Sequence, residues 1–533
     1  MSRSRARGRA GEAAAVPLAD FLARVQPLSL ASRYVLVAQA QAIIEGLYVH
    51  LRLKRAMHAV DPVQRLRLLA RRLESMSDLQ FHAELGGVFR SLRDLHTTYQ
   101  LPDPYRGHVA TLGFLVERYF DEADKPHYVI SKAERDLAER GLRPGSEVVA
   151  WNAVPIERAV ELNAERQAGS NASARIARGL EAMTLRPLRT TLPPDEEWVT
   201  VGFRPPRGGN RELRVHWLVY ALPGSGGRAQ DPVPTAAVNL GIDLGREATR
   251  HVKRALFATT KARVVPPQDL HAVLRFETVR SGRTRYGYVR IFSFNVTRAR
   301  YFLEAMGRAL ARLPQNGLII DIRGNPGGHI PAAEGLLQLL TDRPVTPVRF
   351  SMTTTPTALS LCDATPELAP WRDSIAASVE TGEAYSQGFF LSNPAELAAE
   401  LPRYLAPKVL ILDALCYSAA DIFAAGFQDN RIGTVLGTDE QSGAGGANVW
   451  THDLLRVWLP QTLGALDGGA GFRVALRRAT RTGVHDGVPL EDLGVTADQV
   501  HRLKKLDLTS NNEDLKRTAV EILQTAEREA AAG

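Results

Sequence analysis

Leu318-Ile-Ile-Asp-Ile-Arg-Gly-Asn-Pro-Gly-Gly328 and Lys408-Val-Leu-Ile-Leu-Asp-Ala-Leu-Cys-Tyr-Ser418-Ala-Ala-Asp-Ile-Phe-Ala-Ala-Gly-Phe-Gln-Asp429 decide the fold. Each opens on a nearly continuous apolar run, as a strand buried on both faces requires. Helical patterns follow them, over 331–340 and 418–428. Tyr286 to Phe292 reads as an earlier strand and 433–437 as a later one. Between them Arg298 to Leu313 is an amphipathic helix that uses Phe302, Met306, Ala309 and Leu310. Strands alternating with helices predict an α/β domain on a largely parallel sheet.

Both segments end in residues that can carry chemistry. Gly327 and Gly328 permit a tight turn whose backbone N–H groups face a cavity, as an oxyanion-binding turn needs. The Walker spacing and its Lys-Ser/Thr pair are absent, so this is not a phosphate loop. Ser418 opens a helix at the carboxyl end of a buried strand, where the helix N-terminus favours negative charge. Taken alone, Ser418 with Asp421 also reads as a capping-box-like start, in which the serine only caps.

Together with Glu491-Asp-Leu-Gly-Val-Thr-Ala-Asp498, these motifs resemble the tail-specific, C-terminal-processing serine protease family across roughly 285–500. The family's Ser–Lys members carry a lysine in a turn downstream of the serine, but Gly437 to Gly446 holds none. Ser91-Leu-Arg-Asp94-Leu-His96-Thr-Thr-Tyr99 resembles instead the histidine segment of the Ser–His branch, the chlamydial protease-like activity factor and tricorn-like enzymes. Tricorn-like sites place a serine before the histidine, where this chain has Leu95. The resemblance implies a serine endopeptidase with Ser418 as nucleophile, His96 as general base and Glu491 orienting the imidazole, with Asp429 the alternative carboxylate. It implies an oxyanion hole from Gly327, Gly328 and Ala419, with Tyr417 and His329 near substrate. No metal or organic cofactor is required. A base of this type predicts activity rising with pH through about 6.5. The rival reading is a noncatalytic peptide- or apolar-ligand-binding protein on the same scaffold.

The implied fold is a crotonase-like ββα catalytic core with an N-terminal helical region and an inserted PDZ-like domain. Gly141-Leu-Arg-Pro-Gly-Ser-Glu-Val-Val-Ala-Trp-Asn152 carries the PDZ-like turn and strand. The expected organisation is a disordered basic tail at 1–15, a helical region with the histidine motif at 16–108, the PDZ-like domain at 109–222, linker and strands at 223–283, the α/β core at 284–505 and a C-terminal helix at 506–533. In the helical region Asp61-Pro62 and Ser77-Asp78 read as helix starts. The stretch 341–407, with Trp371, Phe389 and Phe390, reads as a candidate specificity wall or lid.

Composition bounds the rest. The 533 residues are 44% hydrophobic and 23% charged, which excludes a fibrous or wholly disordered chain. A net charge of +8 on this length calls for no nucleic-acid module. Two cysteines, Cys362 and Cys416, exclude a disulfide framework. The longest apolar stretch, Tyr34 to Val49, is broken by Gln39, Gln41 and Glu45, so no membrane span is expected. Arg3, Arg5, Arg7 and Arg9 lead into no apolar stretch, so a cytoplasmic location is expected. A peptide or protein substrate is the expected partner, and a homodimer is an expectation from the resemblance.

Overall fold

The computed structural model describes residues 15–222, 241–257 and 270–532. The tail expected at 1–15 lies outside them but for its last residue, as does much of the expected linker.

Six strands form the central sheet in the order Leu274–Ser281, Thr284–Ile291, Leu318–Asp321, Lys408–Leu412, Thr434–Gly437 and Gln499–Val500. The first two are an antiparallel hairpin; all later pairings are parallel, with Leu318 opposite Lys408. Successive side chains point to opposite faces, and here both faces are covered. Ile319, Val409, Ile411 and Leu436 pack with Leu515, Ala519 and Leu523 of the Glu513–Ala532 helix. Leu318, Ile320, Leu410 and Val435 join the main core with Phe302, Leu337 and Phe423, from the helices Ala299–Leu310, Ile330–Gln338 and Ala419–Asp429. Burial on both sides is why these strands carry unbroken apolar runs.

The N-terminal region is helical over Leu30–Gly46, Leu51–His58, Pro62–Ala70 and Asp78–Ser91. Asp61 caps its helix by accepting from Val63 and Gln64 with Pro62 in the first turn, and Ser77 forms a capping box with Gln80. No single described helix is long and apolar enough to cross a membrane. From the last of these helices the chain runs through Asp94–Thr97 into the strand Thr98–Gln100. That strand pairs with Gly471–Thr480, placing Tyr99 opposite Phe472. The same second sheet holds Ala447–Thr451 and Arg349–Met352. A β-ladder thus fixes the histidine segment onto the body that carries Ser418.

Residues 114–216 build a six-stranded antiparallel sheet with the helices Ile156–Ala164 and Ala172–Ala182 beside it. The strand Glu147–Trp151 is followed by Asn152 at φ 47°, as its turn requires. A separate four-stranded sheet has the order Val16–Pro17, Leu218–Ala221, His108–Thr111 and Leu185–Pro187. In the 341–407 stretch Trp371 does not form an open wall. Its indole N–H donates to the Phe350 carbonyl at 2.7 Å, and it is buried; Phe390 is exposed.

Candidate active site

Two loops at the carboxyl ends of adjacent parallel strands are tied together by the polar residues of their motifs. Asp321 accepts from Arg290, Arg323 and the Tyr288 hydroxyl, which holds its carboxyl well below the usual range despite burial. Asp413 accepts from the Gly324 N–H at 2.7 Å, and the Asn325 carbonyl accepts from the Tyr417 N–H at 3.0 Å. Asn325 also accepts the Gly327 N–H at 2.9 Å. That bond commits Gly327, so it does not supply a free oxyanion donor. The N–H groups of Gly328 and Ala419 meet no acceptor among the described residues.

Gly327 is needed for another reason. Its φ is +88°, and a β-carbon there would lie 2.6 Å from both the Ser418 β-carbon and the Tyr417 carbonyl. Backbone would have to move. Gly327→Ala is expected to lower peptidase kcat by about 100-fold, the effect of a small misplacement of reacting groups, with circular dichroism unchanged. Turnover within threefold of wild type would contradict this.

Ser418 sits between the strand Lys408–Leu412 and the helix Ala419–Asp429 at φ 60° and ψ −122°, a costly conformation for a residue with a side chain. Its side chain makes no capping bond, and its buried hydroxyl has no hydrogen-bond partner. Capping therefore does not account for Ser418. Asp421 accepts from the Gly445 N–H at 2.8 Å and the Ala444 N–H at 3.3 Å.

His96 is fully buried, and its ring lies 4.5 Å from that of Tyr417. The Tyr417 hydroxyl accepts from the Leu95 N–H at 3.1 Å. Tyr417 is thus wholly buried packing for the histidine turn rather than a pocket wall. Gly445 lies so close to the Tyr417 ring that a β-carbon would fall 2.4 Å from it. The glycine-rich stretch without a lysine makes room for this ring. Between Ser418 and His96 passes the backbone of Gly241. A β-carbon there would be 2.6 Å from Ser418 Oγ and 3.6 Å from His96 Nε2, so both groups face one point. The Gly241 carbonyl is 3.0 Å from Nε2. A carbonyl only accepts, so Nε2 carries the proton in this arrangement.

Asp94, His96 and Glu491 bring their polar atoms within 4.8 Å of one another. Glu491 accepts from Lys54 Nζ at 3.0 Å, Ser170 Oγ at 3.0 Å and the Gly446 N–H at 3.2 Å. Asp94 accepts the His96 N–H at 2.7 Å and the Thr97 hydroxyl at 3.1 Å. Asp429 is elsewhere. It lies at the far end of the helix, about 15 Å along the axis, where it pairs with Arg481 and His485. The carboxylate that joins Glu491 beside the histidine is Asp94, whose adjacency was visible in the motif. Lys54 was not foreseen. It is 0% exposed on a short helix whose spacing reads as an ordinary surface. Burial disfavours its charge, but Glu491, Asp492 and Asp94 outweigh that and raise its pKa. It stays an ammonium and is no proton acceptor. Lys408, at the opposite end of its strand from Ser418, is lowered to about 8 by burial.

Burial dominates three of the histidines, His96, His50 and His329. It lowers His96 to about 4 against the pull of Asp94, which revises the expected value near 6.5. His50, buried near Asp94 with both ring nitrogens unpartnered, is lowered to about 3. His329, at the start of the Ile330–Gln338 helix with Nδ1 unpartnered, is lowered to about 4. Below about 6.5 the unfolded chain takes protons that the folded chain refuses until about 4, so stability falls as pH drops through that window. His96 and His50 each contribute about 3 kcal/mol across it. A steep fall in melting temperature from pH 7 to 4.5 is expected, shallower in His50→Gln; a flat profile would contradict it.

Residues 285–480 match the family model "Peptidase family S41". No curated protein matches the chain. Among solved structures, mature CPAF is similar at 16% identity and a TM-score of 0.65, covering 93% of this chain and 98% of that one. Mature CPAF complexed with lactacystin gives 16% identity and 0.64, covering 93% and 99%. At this identity the likeness is one of fold, and it extends well beyond the matched segment. The S41 match falls on the α/β body that presents Ser418, so residues 285–480 are similar to the S41 peptidases and the chain is a serine-type peptidase.

Proposed function

We propose that the chain is an endopeptidase working through an acyl-enzyme, with Ser418 as nucleophile, His96 as general base and Glu491 as the carboxylate that steadies the imidazolium. In this reading the α/β body is a crotonase-like core and 109–222 a PDZ-like insert. The observation that carries it is the convergence of the strained, unpartnered Ser418 hydroxyl and His96 Nε2 on one point. A scissile carbonyl displacing Gly241 from that point would meet both. Nε2, its proton moved to Nδ1, which has no hydrogen-bond partner among the described residues, takes the Ser418 proton as Oγ attacks. It then gives that proton to the leaving amine, and water repeats the sequence to release the acyl group. Ala419 and Gly328 N–H groups stabilise the oxyanion, each donor contributing about 3–4 kcal/mol.

Fluorophosphonate labelling of the full chain tests this. Wild type should label with excess probe and Ser418→Ala should not. A folded wild type that stays unlabelled would sink the reading in favour of a noncatalytic binding protein.

A further inference from the structure

A cavity of about 610 Å³ lies against the Asp94–Thr97 turn, between the N-terminal helices and the helical pair at 156–182. Its lining is net positive, with seven arginines against Asp94, Glu165, Glu181, Asp195 and Asp243. Arg90, Arg93, Arg175 and Arg186 line it with no carboxylate bonded to any of them among the described residues. Arg90 reaches only the Ala83 carbonyl at 3.4 Å, Arg175 the Gly169 and Ser170 carbonyls at 3.2 and 3.5 Å, and Arg186 the Ala182 carbonyl at 2.9 Å. The acids on the same wall are engaged, Asp94 by the His96 N–H and the Thr97 hydroxyl. Asp195 is paired with Arg166, Glu181 with Arg246 and Lys253, and Asp243 with Arg178, while Glu165 approaches Arg175 without bonding it. Burial, with Arg65 and Arg166, lowers Arg90; burial, with Arg93, lowers Arg175. Glu196 and Asp195 act on Arg186 without bonding it. Crowded, partly desolvated cations without a bonded carboxylate are costly, and an anion entering the cavity relieves that cost.

The chain itself shows which anion fits. Gly241 occupies the point between Ser418 and His96, and two residues on, the Asp243 N–H donates to the Pro326 carbonyl at 2.9 Å. The Asp243 carboxylate lies on Arg178. An acidic side chain two positions from the catalytic atoms is therefore already held by an arginine of this cavity.

We propose that the arginine-lined cavity binds acidic side chains of the peptide, with Arg93 and Arg175 as specificity-determining residues for segments rich in Glu or Asp. The inference rests on the peptidase reading only in calling that peptide a substrate. The test is fluorescence anisotropy on full-length Ser418→Ala protein with three labelled dodecapeptides carrying Glu, Gln or Lys at the same three positions. At physiological salt the Glu peptide should bind at least tenfold tighter than the Gln peptide, and the Lys peptide more weakly than both. Arg93→Gln and Arg93→Gln/Arg175→Gln, each added to Ser418→Ala, should cut the Glu preference below threefold; exposed Arg308→Gln should leave it intact. Should the double variant unfold, Arg93→Gln alone decides, because this partly buried side chain makes no hydrogen bond or ion pair among the described residues. Equal binding of Glu and Gln peptides, or a preference surviving Arg93→Gln, overturns the proposal. So does displacement of the Glu peptide by a single-stranded oligonucleotide of equal charge but not by unlabelled Glu peptide. Labelling of wild-type Ser418 without a Glu preference defeats this inference alone, whereas a Glu preference in an unlabelled protein defeats the peptidase reading alone.

Discussion

Substituting His96 by alanine is expected to lower acylation of Ser418 by at least about four orders of magnitude, nearly as much as Ser418→Ala. Among the described residues the serine hydroxyl has no other acceptor within reach, and the one buried amine close by, Lys54, is held protonated by Glu491 and Asp492. Burial keeps His96 neutral down to about pH 4. A histidine base works only when neutral, so the acid limb of kcat/KM should fall near that value, with a plateau through neutrality. Glu491→Gln should cost less, since it removes charge beside the imidazole and leaves the proton acceptor in place. Labelling rates with a fluorophosphonate, measured beside circular dichroism, check all three variants. Full labelling of folded His96→Ala protein would remove the histidine from the mechanism.

Lys54→Met is expected to destabilise the fold by about 3–5 kcal/mol, the cost of breaking a buried ion pair from one side. Lys54 and Glu491 are 0% and 1% exposed, and Asp492 is 6% exposed. Without the ammonium, Glu491, Asp492 and nearby Asp94 face one another with only hydrogen-bond donors between them. The urea midpoint should drop markedly, and Lys54→Met/Glu491→Gln should recover part of the loss, because the second change removes the stranded charge. An unchanged midpoint in Lys54→Met would mean that the cluster is hydrated and the pairing marginal.

What the sequence by itself determined is local or periodic. Apolar runs at 318–322 and 408–412, buried on both faces, dictated a parallel α/β sheet. Asp61-Pro62 and Ser77 with Gln80 marked helix starts, and Gly327 beside Gly328 marked the tight turn next to the serine. The motif around His96 named a histidine that no spacing could connect to Ser418. Tertiary structure decided the remainder, because it depends on which surfaces meet. The ladder between Thr98–Gln100 and Gly471–Thr480 brings that histidine to the serine. Asp94 rather than Asp429 stands beside it, since an eleven-residue helix carries Asp429 away toward Arg481. Gly327 proved to have spent its N–H on Asn325, and Tyr417 to lie beneath the imidazole. Lys54 and the four unpaired arginines look like ordinary surface cations in the sequence. Their meaning comes from desolvation and from the charges facing them across segments distant in the chain, and neither quantity exists until the chain has folded.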